Sequence, residues 1–268
     1  MARLFNRTGP ARRHALESPG MIVRSEYVAL DTPTGPMRTH VYAPADATVR
    51  RRWPGLLLYP EIYQQTGPIV RLSLQFAGHG YVVMAPEIYH EHEPPGTVLA
   101  YDAAGTAKGN AYKHATKLST FDHDAATVVA ALKAHPACSG RVGTVGFCIG
   151  GHLAFRAALQ RDVLAACCFY PTDLHSGTLG EGQKAGTLAR AGEIGAELAM
   201  IWGRQDPHIP ADGRAKIYQA LVDAGRHFTW HEFNAEHAFM RDEGPRYDPD
   251  AARTAMGIAL ALFHRRLD

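Results

Sequence analysis

The stretch Gly146-Phe147-Cys148-Ile149-Gly150-Gly151 decides how the chain is read. The apolar run Val142-Gly143-Thr144-Val145 leads into it, and the alanine-rich His152-Leu153-Ala154-Phe155-Arg156-Ala157-Ala158-Leu159 leads out. That pattern predicts strand, sharp turn, helix. Glycines two before and two after Cys148 let the backbone turn tightly enough to lift one reactive side chain above a sheet edge, the G-x-nucleophile-x-G spacing of a nucleophile elbow. The N–H groups that open the following helix face the same spot, where they lower a thiol pKa and hold a developing oxyanion. A structural cysteine is the competing reading, and the flanking strand and helix weigh against it.

Composition narrows the classes further. The chain has 268 residues, 46% of them apolar, enough to bury a substantial core. A net charge of +2 gives no reason to propose nucleic acid or a membrane as partner. No apolar run reaches the roughly 18–20 residues that span a bilayer. The cysteines Cys138, Cys148, Cys167 and Cys168 show no CxxC spacing, and the adjacent Cys167 and Cys168 read as small core residues. A reducing cytoplasm suits that pattern. Arg3, Arg7, Arg12 and Arg13 stand among Gly9, Pro10, Pro19 and Gly20 with no apolar period and no signal-type apolar stretch. Residues 1–20 are therefore expected to be a flexible extension, and 21–268 a single domain.

From Met21 the chain alternates strands and helices. Ile22–Leu30 and Met37–Tyr42 read as paired strands around Thr32–Pro36. Gly55–Tyr59 and Tyr81–Ala85 are continuous apolar runs of the buried parallel type, with a helix over Ile69–Gly78 between them. A polar stretch from Pro86 to about Thr120 reads as an insert covering a site. A helix over Asp122–Ala134, capped by Asp122 and Asp124, precedes the strand that leads to Cys148. Beyond the elbow helix come strands at Val163–Phe169, Leu198–Trp202 and His227–Phe233, and helices over Asp212–Ala224 and Pro249–Leu267, the last behind Asp250. Gly177–Gly195 reads as a flexible connection. Repeated β–α units of this kind indicate a mostly parallel sheet with helices on both faces.

Two late turns complete a chemical set. Asp206 and His237 each follow a predicted strand, so that nucleophile, acid and base run in the order Cys148, Asp206, His237, the chain order of α/β-hydrolases. The fold would bring all three to one sheet edge, with His237 moving protons and Asp206 fixing its tautomer.

The elbow, together with Pro60-Glu61-Ile62-Tyr63, Asp206-Pro207-His208-Ile209-Pro210 and His237-Ala238-Phe239 with Arg241, resembles the dienelactone hydrolase (carboxymethylenebutenolidase) family. The likeness runs from Met21 to the last helix. It implies an α/β-hydrolase fold and hydrolysis of a carboxylate-bearing enol-lactone or ester, a small and anionic substrate, with no cofactor and no metal. It implies that Glu61 is a switchable carboxylate that takes the thiol proton, and that the N–H groups of Ile62 and Ile149 form the oxyanion hole. It further implies that Arg241 binds the substrate acid. A second arginine is implied four residues ahead of a tyrosine. This chain has Lys108 ahead of Tyr112, and lysine keeps the charge but lacks the planar fork.

Two rival readings use the same residues. A broader ester or thioester hydrolase shares the triad, and a non-catalytic thiol sensor would need no Asp206–His237 relay. His90-Glu91-His92-Glu93, beside two prolines, reads as a solvated loop rather than a metal site. The chain is expected to act as a monomer or small homo-oligomer.

Overall fold

Leu56, Leu57 and Leu58 follow one another and are all fully buried, so the strand that carries them is covered on both faces. Each such leucine contributes about 2 kcal/mol by leaving water. This computed structural model describes residues 22–45 and 51–268. The expected 1–20 extension lies outside them.

In chain order the elements are β1 (Val23–Thr32), β2 (Gly35–Pro44), β3 (Trp53–Tyr59), α1 (Gly67–Gly78), β4 (Val82–Pro86), α2 (Ala103–Ala115), α3 (Leu118–Ala134), β5 (Cys138–Phe147), α4 (Ile149–Ala157), β6 (Val163–Phe169), β7 (Glu197–Gly203), α5 (Ala211–Asp223), β8 (Phe228–Phe233) and α6 (Pro249–Leu267). The strands form one sheet in the order β1-β2-β4-β3-β5-β6-β7-β8. β1, β2 and β4 pair antiparallel, and every pairing from β4 through β8 is parallel. α3 and α4 pack on each other against β3 and β5. α1 and α6 meet through Phe76 and Phe263, with ring centroids 6.0 Å apart. This sheet, parallel in its centre and flanked by helices, has the expected architecture. Its parallel strands all end at one edge, where β3, β5, β6, β7 and β8 deliver their following loops.

Several local expectations are corrected. The insert from Pro86 contains a helix, α2, that was not expected. The segment before α2 is tied down rather than solvated: Tyr89 is fully buried and its OH donates to the Gly109 carbonyl at 3.0 Å. α3 starts at Leu118, and neither Asp122 nor Asp124 caps it. Their carboxylates are engaged elsewhere, Asp122 by the guanidinium of Arg156 at 2.6 and 2.7 Å and Asp124 by His90 at 3.1 Å. α6 is capped by Asp248, which accepts from the N–H groups of Asp250 and Ala251, with Pro249 in the first turn. The Gly177–Gly195 connection contains two short 3-10 turns, Glu181–Gln183 and Leu188–Glu193.

The elbow is the tightest point of the fold. Cys148 has φ 60° and ψ −122°, and its N–H donates to the Phe169 carbonyl at 3.1 Å. A Cβ on Gly146 would lie 2.0 Å from the Gly150 carbonyl oxygen, so no larger residue fits there. Gly146→Ala is expected to lower stability by about 3 kcal/mol or more, read as the shift in the urea-unfolding midpoint. A shift near zero would show that the elbow can relax.

Candidate active site

β7 and β8 hand over the acid and the base side by side. Gly203, the last residue of β7, has no side chain, and a Cβ there would lie 2.5 Å from the Ala235 carbonyl oxygen. The two loops zip together through Arg204 N–H to Phe233 at 2.8 Å and Gln205 N–H to Ala235 at 3.0 Å. This approach sets Asp206 Oδ2 2.6 Å from His237 Nδ1, with both residues buried. The second Asp206 oxygen accepts from the His208 N–H at 2.8 Å, which fixes the carboxylate plane. Burial pushes the His237 pKa down. Once Cys148 is a thiolate, its charge, the hydrogen bonds to Asp206 and Cys148, and the Asp206 charge outweigh it, and the imidazole is pushed up to about 10. Cys148 and His237 share one cavity. Thr172 Oγ1 also lies 4.0 Å from Cys148 Sγ.

Cys148 and His237 open into a cavity of about 220 Å³. A roomier hollow of about 350 Å³ beside Leu174, Lys216 and Leu188 also includes His175 and Ser176, but the Ser176 hydroxyl is bonded to Thr178 Oγ1 at 2.9 Å rather than to the imidazole. Glu61 and Arg241 form one wall of the smaller cavity, their Oε2 and Nη1 atoms 3.7 Å apart. Burial raises the Glu61 pKa, and Arg241, His237 and Tyr101 offset it only in part. Arg241 stands over the rings of Tyr101 and Tyr63, 4.5 and 5.8 Å from their centroids, which holds its guanidinium by cation–π attraction. Beyond Arg241, Arg71 of α1 grips Asp242 by two bonds of 2.6 Å and so anchors the loop that carries the site. Ile62 lines the cavity, and Ile149 is the first residue of α4, immediately after Cys148. Among the described residues neither the Ile62 nor the Ile149 N–H has an acceptor, so both remain available as donors.

A further part of the lining was not foreseen. α2 presents Thr106, Asn110 and Lys113 to the cavity, spaced i, i+4 and i+7 on one helical face. Lys113 Nζ lies 2.9 Å from Asp173 Oδ2, and both side chains are nearly buried. Lys108 and Tyr112, the anticipated substrate contacts, are on another face of the same helix. They converge on Glu93, which accepts from Tyr112 OH at 2.6 Å and pairs with Lys108. Neither lines the cavity: their hydroxyl and charge clamp the insert to α2. Recognising α2 as a helix would have separated the two faces by periodicity. His90 and His92 belong to the same clamp, His92 stacking on Tyr112 at 4.8 Å. Among the described residues no group of three or more His, Cys, Asp or Glu side chains is arranged to hold a metal, and no helix is long and apolar enough to cross a membrane.

A mostly parallel eight-stranded sheet with an elbow cysteine, an aspartate and a histidine on successive edge loops defines an α/β-hydrolase. Its solved neighbours agree: a candidate dienelactone hydrolase of Klebsiella pneumoniae superposes with a TM-score of 0.78 at 22% identity, covering 91% of this chain and 99% of its own. The model of the dienelactone hydrolase family matches residues 37–267. A candidate carboxymethylenebutenolidase of Saccharomyces cerevisiae is 41% identical over 256 residues, which is 92% of this chain and 93% of the relative. The carboxymethylenebutenolidase of Pseudomonas sp. strain P51 is 27% identical over 231 residues, covering 86% of this chain and 91% of the relative. The chain belongs to the dienelactone hydrolase family and is a carboxymethylenebutenolidase-like hydrolase.

The charged state of His237 is tied to folding. Its pKa is raised to about 10, above the usual value near 6.5 that applies in the unfolded chain. The stability it contributes is therefore complete below about pH 6.5 and is lost as pH rises through about 10. The urea-unfolding free energies of wild type and His237→Gln are expected to differ most near pH 6 and to converge toward pH 10. A gap that stays constant across that range would contradict this.

Proposed function

We propose that the enzyme hydrolyses a carboxylate-bearing enol-lactone or ester through a thioester on Cys148. The observation that carries the reading is one cavity shared by Cys148, the His237–Asp206 pair and the Arg241–Glu61 pair.

The loose 3.7 Å contact between Arg241 and Glu61 is the starting point. An incoming substrate carboxylate takes the planar fork of Arg241 and displaces Glu61 from it. Glu61, whose pKa burial has already raised, then has less reason to stay charged and accepts the thiol proton. The sulfur attacks the carbonyl carbon, and the carbonyl oxygen becomes an oxyanion between the Ile62 and Ile149 N–H groups. Each such donor is worth roughly a hundredfold in rate or more. The oxyanion collapses, the ring C–O bond breaks, and the leaving enolate oxygen takes a proton from His237. Water then gives a proton to His237 and attacks the thioester, releasing the acid and freeing the sulfur, which recovers its proton from Glu61. No step calls for a metal or organic cofactor, and a free thiol of this kind suits a reducing cytoplasm.

Broader ester hydrolysis on the same residues is separated from this reading by substrate choice. If Glu61 moves only when an acid reaches Arg241, a carboxylate-bearing enol-lactone is turned over much faster than p-nitrophenyl acetate, and equal rates would favour the broader reading. Cys148→Ala is expected to abolish turnover while the circular-dichroism spectrum and melting curve stay native. Turnover surviving in that variant would remove the thioester route. Arg241→Met is expected to raise KM for anionic substrates by about 10–100-fold, the value of one charged hydrogen-bonded pair, while KM for neutral esters changes little. A uniform change in steady-state assays would show that Arg241 does not bind the acid.

A further inference from the structure

The cavity lining carries the same kind of ion pair twice, in different states. Arg241 and Glu61 stand 3.7 Å apart. Lys113 Nζ and Asp173 Oδ2 form a closer ion pair at 2.9 Å, and Thr178 Oγ1 donates a hydrogen bond of 2.8 Å to the other Asp173 oxygen. The Lys113 and Asp173 side chains keep only 10% and 14% of their exposure, so solvent does little to screen the pair. Lys113 thus brings no net charge to the cavity. Besides the imidazole of His237, which Asp206 pairs, the remaining cation in the lining is Arg246, which is tied to Glu236 at 3.0 Å and is more exposed than Arg241 or Lys113. Between Lys113 and Thr106, the carboxamide of Asn110 faces the cavity with no hydrogen-bond partner among the described residues.

We propose that Asp173 makes the cavity selective for substrates with a single acid group: by cancelling the charge of Lys113, it leaves the α2 wall to take a neutral hydrogen-bonding group and to reject a second carboxylate. This rests on the reading of Arg241 as the dock for the substrate acid. The asymmetry between the two pairs is chemical. Glu61 gives up its charge when it takes the thiol proton, so Arg241 is left as a bare cation for one acid. Asp173 has no such route. Burial pushes its pKa up, but the charge and hydrogen bond of Lys113, the Thr178 hydroxyl and His152 hold it below the usual carboxylate range. It therefore stays charged and repels a second anion, while the Lys113 ammonium and the Asn110 amide still donate to carbonyl, amide or hydroxyl oxygens.

Protection of Cys148 from iodoacetamide tests this without turnover, using glutarate and its monoamide glutaramate as probes of matched length. In the wild type, glutaramate is expected to protect at roughly tenfold lower concentration than glutarate. Asp173→Asn unmasks the Lys113 charge and is expected to bring that ratio to one or invert it. Asparagine tolerates the φ of 61° found at this position and still accepts from Thr178, so the loop is kept. Lys113→Gln leaves Asp173 unopposed and is expected to widen the ratio. The proposal is overturned if glutarate protects as well as glutaramate in the wild type, or if Asp173→Asn leaves the ratio unchanged. Failure of both acids to protect the wild type would remove the Arg241 dock and the selectivity together. Protection by both that is lost in Arg241→Met, with a ratio indifferent to Asp173, would remove the selectivity alone.

Discussion

Everything at the site depends on one strained residue. Cys148 has φ 60° and ψ −122°, a conformation that costs a non-glycine residue about 1–3 kcal/mol. It persists because the surrounding backbone leaves no alternative. The Cys148 carbonyl accepts from the N–H groups of Gly151 at 3.0 Å and Thr172 at 3.2 Å, and its own N–H is spent on Phe169. The strain points the sulfur away from the core and toward the one place that the loops after β7 and β8 can reach. Relaxing it would return the side chain to the line of β5, away from His237 and the α4 N-terminus.

Around that fixed sulfur the fold has gathered charges that are costly to bury, and it has matched each to an opposite. Asp206 meets His237, Glu61 meets Arg241 and Asp173 meets Lys113. Burying an unpaired ion costs several kcal/mol, so none of the six could stand alone in a cavity this enclosed. The contacts differ in closeness, and that difference is informative. The 2.6 Å bond between Asp206 and His237 holds an orientation, whereas the 3.7 Å separation of Glu61 and Arg241 leaves room for an exchange of partners.

The fold was legible because its signals are strong and local. The continuous apolar runs of β3 and β4, the alternation of strand and helix, and the glycines about Cys148 each admit few other readings. Asp206 and His237 could be picked out because each directly follows such a strand, although sequence alone gave no measure of their approach. α2 was hidden for physical reasons. Its run from Ala103 to Ala115 contains Gly105 and Gly109 and has no apolar stripe, so neither propensity nor periodicity marks it. With the helix unseen, Lys108 and Tyr112 looked like site residues, while Asn110 and Lys113, one face away, went unnoticed. Tyr101 was missed because a lone tyrosine in a loop carries no pattern, and only the folded chain brings its ring under Arg241. His90, His92 and Glu93 looked solvated because their partners, Asp124, Tyr112 and Lys108, are distant in sequence or on the unrecognised helix.

The clamp between the insert and α2 separates two kinds of inheritance. Where the sulfur sits is dictated by main-chain bonds and by space too small for a side chain, and such features resist gradual change. What faces the sulfur from α2 is a row of replaceable side chains on a helix, held in place by the contacts of Glu93 and His92 on a different face. A lineage can therefore alter Asn110 alone, or Lys113 together with Asp173, without loosening the helix or shifting the elbow. Reactivity is thus conserved by geometry, while taste for one molecule over another is free to drift.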